Sequence, residues 1–158
     1  MSNLFNAMLT QSASGQMLTA RDVSRFTAAE IRQTMAELVS ANHLDLADAL
    51  SAAGLSLYPD SEDILAISAL LAEMNQDWTA AEQLLTQLMA QQGEHTTALT
   101  WLHLIRVLRC QCEPGRALLM AKQAMTAYPE DLLLRGEYAS LQELVSEQMP
   151  VAASTQRH

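Results

Sequence analysis

Lysine and arginine are missing from the whole stretch between Gln33 and Ile105, where ten acidic residues occur. Across all 158 residues there are 9 basic and 18 acidic side chains, a formal charge of −9. Nucleic acid is a poor partner for such a chain, because neutralising phosphates takes a basic stripe. Aromatic residues make up only 4%, with 5 glycines and 4 prolines, and runs of β-branched residues are nearly absent. A core must therefore come from Leu, Ala, Met, Ile and Val. The richest short apolar run, Ile64 to Ala72, is too short to span a bilayer. The opening Met-Ser-Asn-Leu-Phe has neither a positive segment nor a long apolar one, so no cleaved signal is expected. Two cysteines cannot frame a chain of this length. These absences lead to the expectation of a cytoplasmic protein with no membrane span.

Catalytic patterns are missing as well. There is no glycine-rich phosphate loop, HExxH, GxSxG or dinucleotide fingerprint. Cys110 and Cys112 are two residues apart, and on a helix they point about 200° away from each other. One tetrahedral ion does not readily take both. His43 and His95 fall near turns and are expected at the surface. The pairs Glu62-Asp63 and Glu130-Asp131 stand at helix starts, where the helix dipole accounts for them. No metal, no cofactor and no enzymatic activity are expected.

What is present favours helix. Apolar residues make up 49%, and long stretches of Ala, Leu, Gln, Glu and Met have high helix propensity. An apolar patch at Leu4, Phe5, Met8 and Leu9 reads as a short helix, expected on a flexible linker. Thr27 and Glu30 form a capping-box pattern. Ile31, Met35, Leu38 and Val39 then share one face, and after the turn at Asn42 comes Leu44, Leu46, Ala47 and Leu50. Pro59 ends that helix. Asp60 or Ser61 starts the next pair, whose second helix opens after Asp77-Trp78 and ends at Gly93. Pro114 suits the first position of a later helix. Met74, Met89, Met120 and Met125 are expected as core filler.

One pattern recurs. Ala47, Ala81 and Ala117 are each followed twelve positions later by a helix breaker, Pro59, Gly93 and Pro129, and the alanines are 34 and 36 residues apart. That period belongs to stacked helical hairpins. Trp101 takes the place of the large residue of a first helix, and Ala117, Ala121 and Ala124 the small positions of a second. Small residues belong where helices cross at about 8–10 Å. On these residues the chain resembles the tetratricopeptide repeat family. The expected fold is all-α, a helical-hairpin solenoid of three repeats plus a C-terminal capping helix. It is divided into an arm (1–26), a repeat domain (27–148) with hairpins 27–59, 60–94 and 95–129 and a cap at 130–148, and a disordered tail (149–158).

The resemblance implies a non-catalytic protein-interaction module that holds a protein or peptide segment in a concave groove. In size, charge and layout the chain is similar to the class II chaperones of type III secretion. That similarity implies a secreted substrate as partner and a homodimer made through the N-terminal arm. The alternative is a structural or regulatory scaffold subunit of a multiprotein complex. Groove positions, taken from the repeat phase, are Arg32, Ala36 and Val39; Asp63, Ala66, Leu70 and Glu73; and Leu99, Leu102, Arg106 and Arg109. Arg106 and Arg109, one turn apart, could share a partner's carboxylate. The plainer alternative pairs them with an acid of their own chain, such as Glu73 or Glu143.

Overall fold

Four helices begin on an oxygen-bearing side chain at nearly constant intervals. In the computed structural model, which describes residues 2–16 and 18–149, Thr27, Ser61, Thr97 and Asp131 are the N-caps of α3 (Ala28–Ser40), α5 (Glu62–Met74), α7 (Ala98–Cys110) and α9 (Leu132–Gln148). Each has extended backbone, and its side chain accepts a hydrogen bond from the amide three residues on, at 3.2, 3.4, 3.2 and 2.9 Å. Such a cap satisfies one of the orphan donors of a first turn. At Thr27 the box is complete, with its N–H donating to Glu30 Oε2 at 2.8 Å.

Between them lie α4 (Leu44–Leu57), α6 (Trp78–Gln92) and α8 (Pro114–Ala127). The turns into these helices also recur. Asn42, Gln76 and Cys112 have φ of 60°, 58° and 59°. The next residue in each case donates back to the carbonyl five positions earlier: His43 to Leu38, Asp77 to Ala72 and Glu113 to Leu108, at 2.8, 2.9 and 3.0 Å. This is the Schellman arrangement, which closes the last carbonyls of a helix. Caps and turns together make three hairpins in phase. All regular structure among the described residues is helical.

The step from second to third hairpin is two residues longer, and the 3-10 turn Gly93–His95 lies within that connection. The two compact units of the chain divide right after it, between Thr96 and Thr97. The first unit includes the arm with two hairpins, and the second the third hairpin with α9.

In that first unit, α1 (Asn3–Ala13) and the short α2 (Ala20–Val23) complete the core. Leu4, Phe5, Met8 and Val23 join Ile31, Met35, Leu38, Ala47, Leu50, Ile64 and Leu71 in one buried cluster. Helix α1 packs on α3, and α2 on α4. Ser2 secures the start of α1. Its N–H donates to Glu37 Oε2 at 3.1 Å, and its hydroxyl lies 2.7 Å from that of the buried Thr34. The arm thus covers the open end of the first hairpin rather than standing apart on a linker, because Leu4 and Phe5 would otherwise leave large apolar surface in water.

Small residues occupy the crossings. Ala47, Ala81, Ala117, Ala121 and Ala124 are fully buried. At Gly54 a Cβ would lie 3.2 Å from Ile31 Cγ2 and 3.4 Å from Ile64 Cγ2. Ser51 and Ser68 join α4 to α5 by a buried 2.7 Å hydrogen bond. Pro59 and Pro129 each follow a C-capping tyrosine of the same backbone shape: Tyr58 and Tyr128 both have φ −131°.

In the second unit, α8 packs between α7 and α9. Helix α9 repeats α5 seventy residues on, with Leu134 and Leu141 buried like Ile64 and Leu71. Where α5 buries Leu65, Ala69 and Ala72, α9 exposes Arg135, Ala139 and Gln142. That is the polar outer face a terminal helix needs. The expected disordered tail falls, except for the exposed Met149, outside the described residues.

Candidate interaction face

The groove positions of the first unit fall on equivalent turns of α3 and α5, which pack on each other. Arg32 and Ala36 are exposed and Val39 half-buried; thirty-four residues on, Ala66 and Leu70 are exposed and Glu73 half-buried. Their helices turn other faces, Ile31, Met35 and Leu38 or Ile64, Leu65 and Ala69, into the core. The result is an apolar strip of the exposed Ala36, Ala66 and Leu70 with the half-buried Val39. At one end Arg32 Nε lies 3.7 Å from Asp63 Oδ1, with both side chains more than half exposed. Such a pair contributes about 0–1 kcal/mol, so it can open cheaply for a partner. Met74, expected in the core, is 46% exposed beyond Leu70.

The corresponding line on α7 behaves differently. Leu99 is 62% exposed, but Leu102 is buried at 4% and belongs to packing, not to an open surface. Arg106 Nε lies 3.6 Å from Glu137 Oε1, and Arg109 Nη1 donates to Glu137 Oε2. The shared carboxylate therefore comes from α9 of the same chain. The acid is Glu137, not Glu73 or Glu143, because Glu137 is on the face of α9 that meets α7. Two guanidiniums on one carboxylate leave a local positive excess, part of it open on the half-exposed Arg106.

Exposed leucines that the repeat phase does not identify include Leu119 on α8 and Leu132 and Leu133 at the start of α9. Cys110 and Cys112 are both exposed, the latter in the left-handed turn. No group of three His, Cys, Asp or Glu side chains is placed to hold a metal among the described residues. No helix among them is long and apolar enough to cross a membrane. Of the acids, Glu37 has its carboxyl held below the ordinary range, chiefly by the hydrogen bond from the Ser2 amide. Glu30 and Asp22 are lowered in the same direction by their capping threonines. All three shifts serve helix ends and the arm.

No known protein-family model matches the sequence, and no curated protein matches it.

Proposed function

We propose that this chain is a non-catalytic protein-interaction module of the tetratricopeptide type that holds an extended or helical segment of another protein. The observation that carries this reading is the apolar strip of exposed Ala36, Ala66 and Leu70 with half-buried Val39 on equivalent turns of α3 and α5. An apolar strip with one openable ion pair at its edge has the composition of a helix- or peptide-docking face. The acidic stretch around it favours a partner with basic flanks, through steering that salt would weaken. Extending the similarity in size and charge, the partner is a secreted subunit and the protein its type III secretion chaperone in the cytoplasm.

A scaffold subunit is the second reading, favoured by Leu119, Leu132 and Leu133, which are more than half exposed in the second unit. Homodimerisation through the arm has less to draw on, since Leu4, Phe5 and Met8 are committed to their own chain. The test is recovery of partners with tagged full-length protein, identified by mass spectrometry. Leu70→Glu is expected to abolish recovery of a partner that Leu119→Glu retains. The opposite pattern would overturn the groove reading in favour of the scaffold.

A further inference from the structure

Ala36 borders a second crevice besides the strip it shares with Leu70. Between α1 and α3 lies a cleft of about 510 Å³, walled by Phe5, Gln33, Ala36, Glu37, Ser40 and Ala41. Half of these residues are polar, but each has its head group hydrogen-bonded within the wall. Glu37 Oε2 accepts from the N–H and the hydroxyl of Ser2 at 3.1 and 3.2 Å, and its Oε1 from Gln33 Nε2 at 3.3 Å. The Ser40 hydroxyl donates to the Ala36 carbonyl at 2.9 Å. What remains for an occupant is chiefly carbon surface, with a carboxylate at the edge.

Both crevices run lengthwise along α3. The cleft involves its positions from 33 to 41, about 12 Å of helix axis, and the strip extends from the Arg32–Asp63 pair to Val39 and Leu70. The ridge between them carries the exposed Ala29, Ala36 and Ser40 on one face of α3, small enough for another helix to approach to about 8–10 Å. A helix is about 10 Å across, so one lying along α3 meets both crevices, whereas an extended chain running the same way meets one. Charge selects the occupant further. Helices α1, α3 and α5 contain five acids and one cation, Arg32, and the first unit as a whole has twelve acids against three arginines. We infer that a basic amphipathic helix docks lengthwise on α3. One row of its apolar side chains enters the α1–α3 cleft and the next lies on Ala36, Ala66 and Leu70, while lysines or arginines at its borders face Glu37 and Asp63. This rests on the strip being a docking face, and adds the occupant's conformation, its charge and the part of the arm in building the site.

The test is titration of the full-length 15N-labelled protein with the peptide acetyl-Lys-Lys-Leu-Ala-Ala-Leu-Leu-Lys-Ala-Leu-Leu-Ala-Lys-Lys-amide. Its controls have the leucines dispersed around the helix at the same composition, glutamate in place of every lysine, or proline in place of the alanine after the central lysine. Saturable shifts are expected at the backbone amides of Phe5, Ser40 and Ala41 together with those of Ala66 and Leu70. Each control should bind about tenfold more weakly. Ser40→Phe, which fills the cleft from an exposed position, should weaken the parent peptide about tenfold. Shifts at Ala66 and Leu70 alone, or unchanged affinity in Ser40→Phe, would overturn the inference and leave the strip reading standing. Equal binding of any control would also overturn it. No saturable shift at Ala66 and Leu70 with any peptide would overturn both. The control peptides leave the protein unaltered, so the test stays decisive even where Ser40→Phe disturbs α3.

Discussion

Replacing Gln76 by glycine is expected to stabilise the protein, although glycine usually weakens helical sequences. Gln76 has φ 58° at the turn between α5 and α6, and a left-handed backbone costs an ordinary L-residue about 1–2 kcal/mol. Glycine removes that cost but brings about 0.4–1 kcal/mol of extra unfolded-state freedom. The net gain is about 0.5–1 kcal/mol. Cys112→Gly should gain a similar amount, since Cys112 has φ 59° in the equivalent turn. Asn42→Gly should change little, because asparagine tolerates that region. The assay is urea unfolding read by tryptophan fluorescence in single-tryptophan backgrounds. Trp78 reports the first unit and Trp101 the second, which avoids forcing one transition on two units. Trp101→Phe loses no hydrogen bond, as its indole N–H has no partner. Destabilisation by both Gln76→Gly and Cys112→Gly would refute the reasoning, as would an Asn42→Gly gain equal to theirs.

Other perturbations address the arm and the crossings. Phe5→Ala should cost about 3–5 kcal/mol in the first unit; a change below about 0.5 kcal/mol would mean that α1 does not pack on α3. Ala117→Leu should overpack α8 and cost about 1–3 kcal/mol, and an unshifted midpoint would remove Ala117 from the crossing. Because the Glu37 carboxyl is depressed in the folded state, its contribution to arm docking is present above the ordinary glutamate value of 4.5 and is lost as pH falls through the folded value. Amide exchange in α1 should accelerate over that acid range in the wild type, and Glu37→Gln should flatten the dependence.

The fold was legible because helix crossings tolerate only small side chains, so Ala47, Ala81 and Ala117 record the repeat directly in the sequence. The 34-to-36 change in spacing, which by itself does not announce a boundary, falls where the two units part. Other features depend on tertiary pairing, which residue types do not encode. The Leu4-Phe5-Met8 patch shows that something apolar must be covered, not that α3 covers it. Leu102 occupies a groove phase in the repeat yet packs inside. Arg106 and Arg109 advertise a carboxylate, and only the placement of α9 selects Glu137. Asn42 is a recognisable turn residue, whereas nothing about Gln76 or Cys112 announces a left-handed backbone.

The most direct measurement of the proposed role is site-specific photo-crosslinking of the full-length protein in the cells that make it. With the cross-linking amino acid at position 70, one discrete adduct with another protein is expected, and none with the same probe at position 119. An adduct formed from position 119 and absent from position 70 would contradict the account.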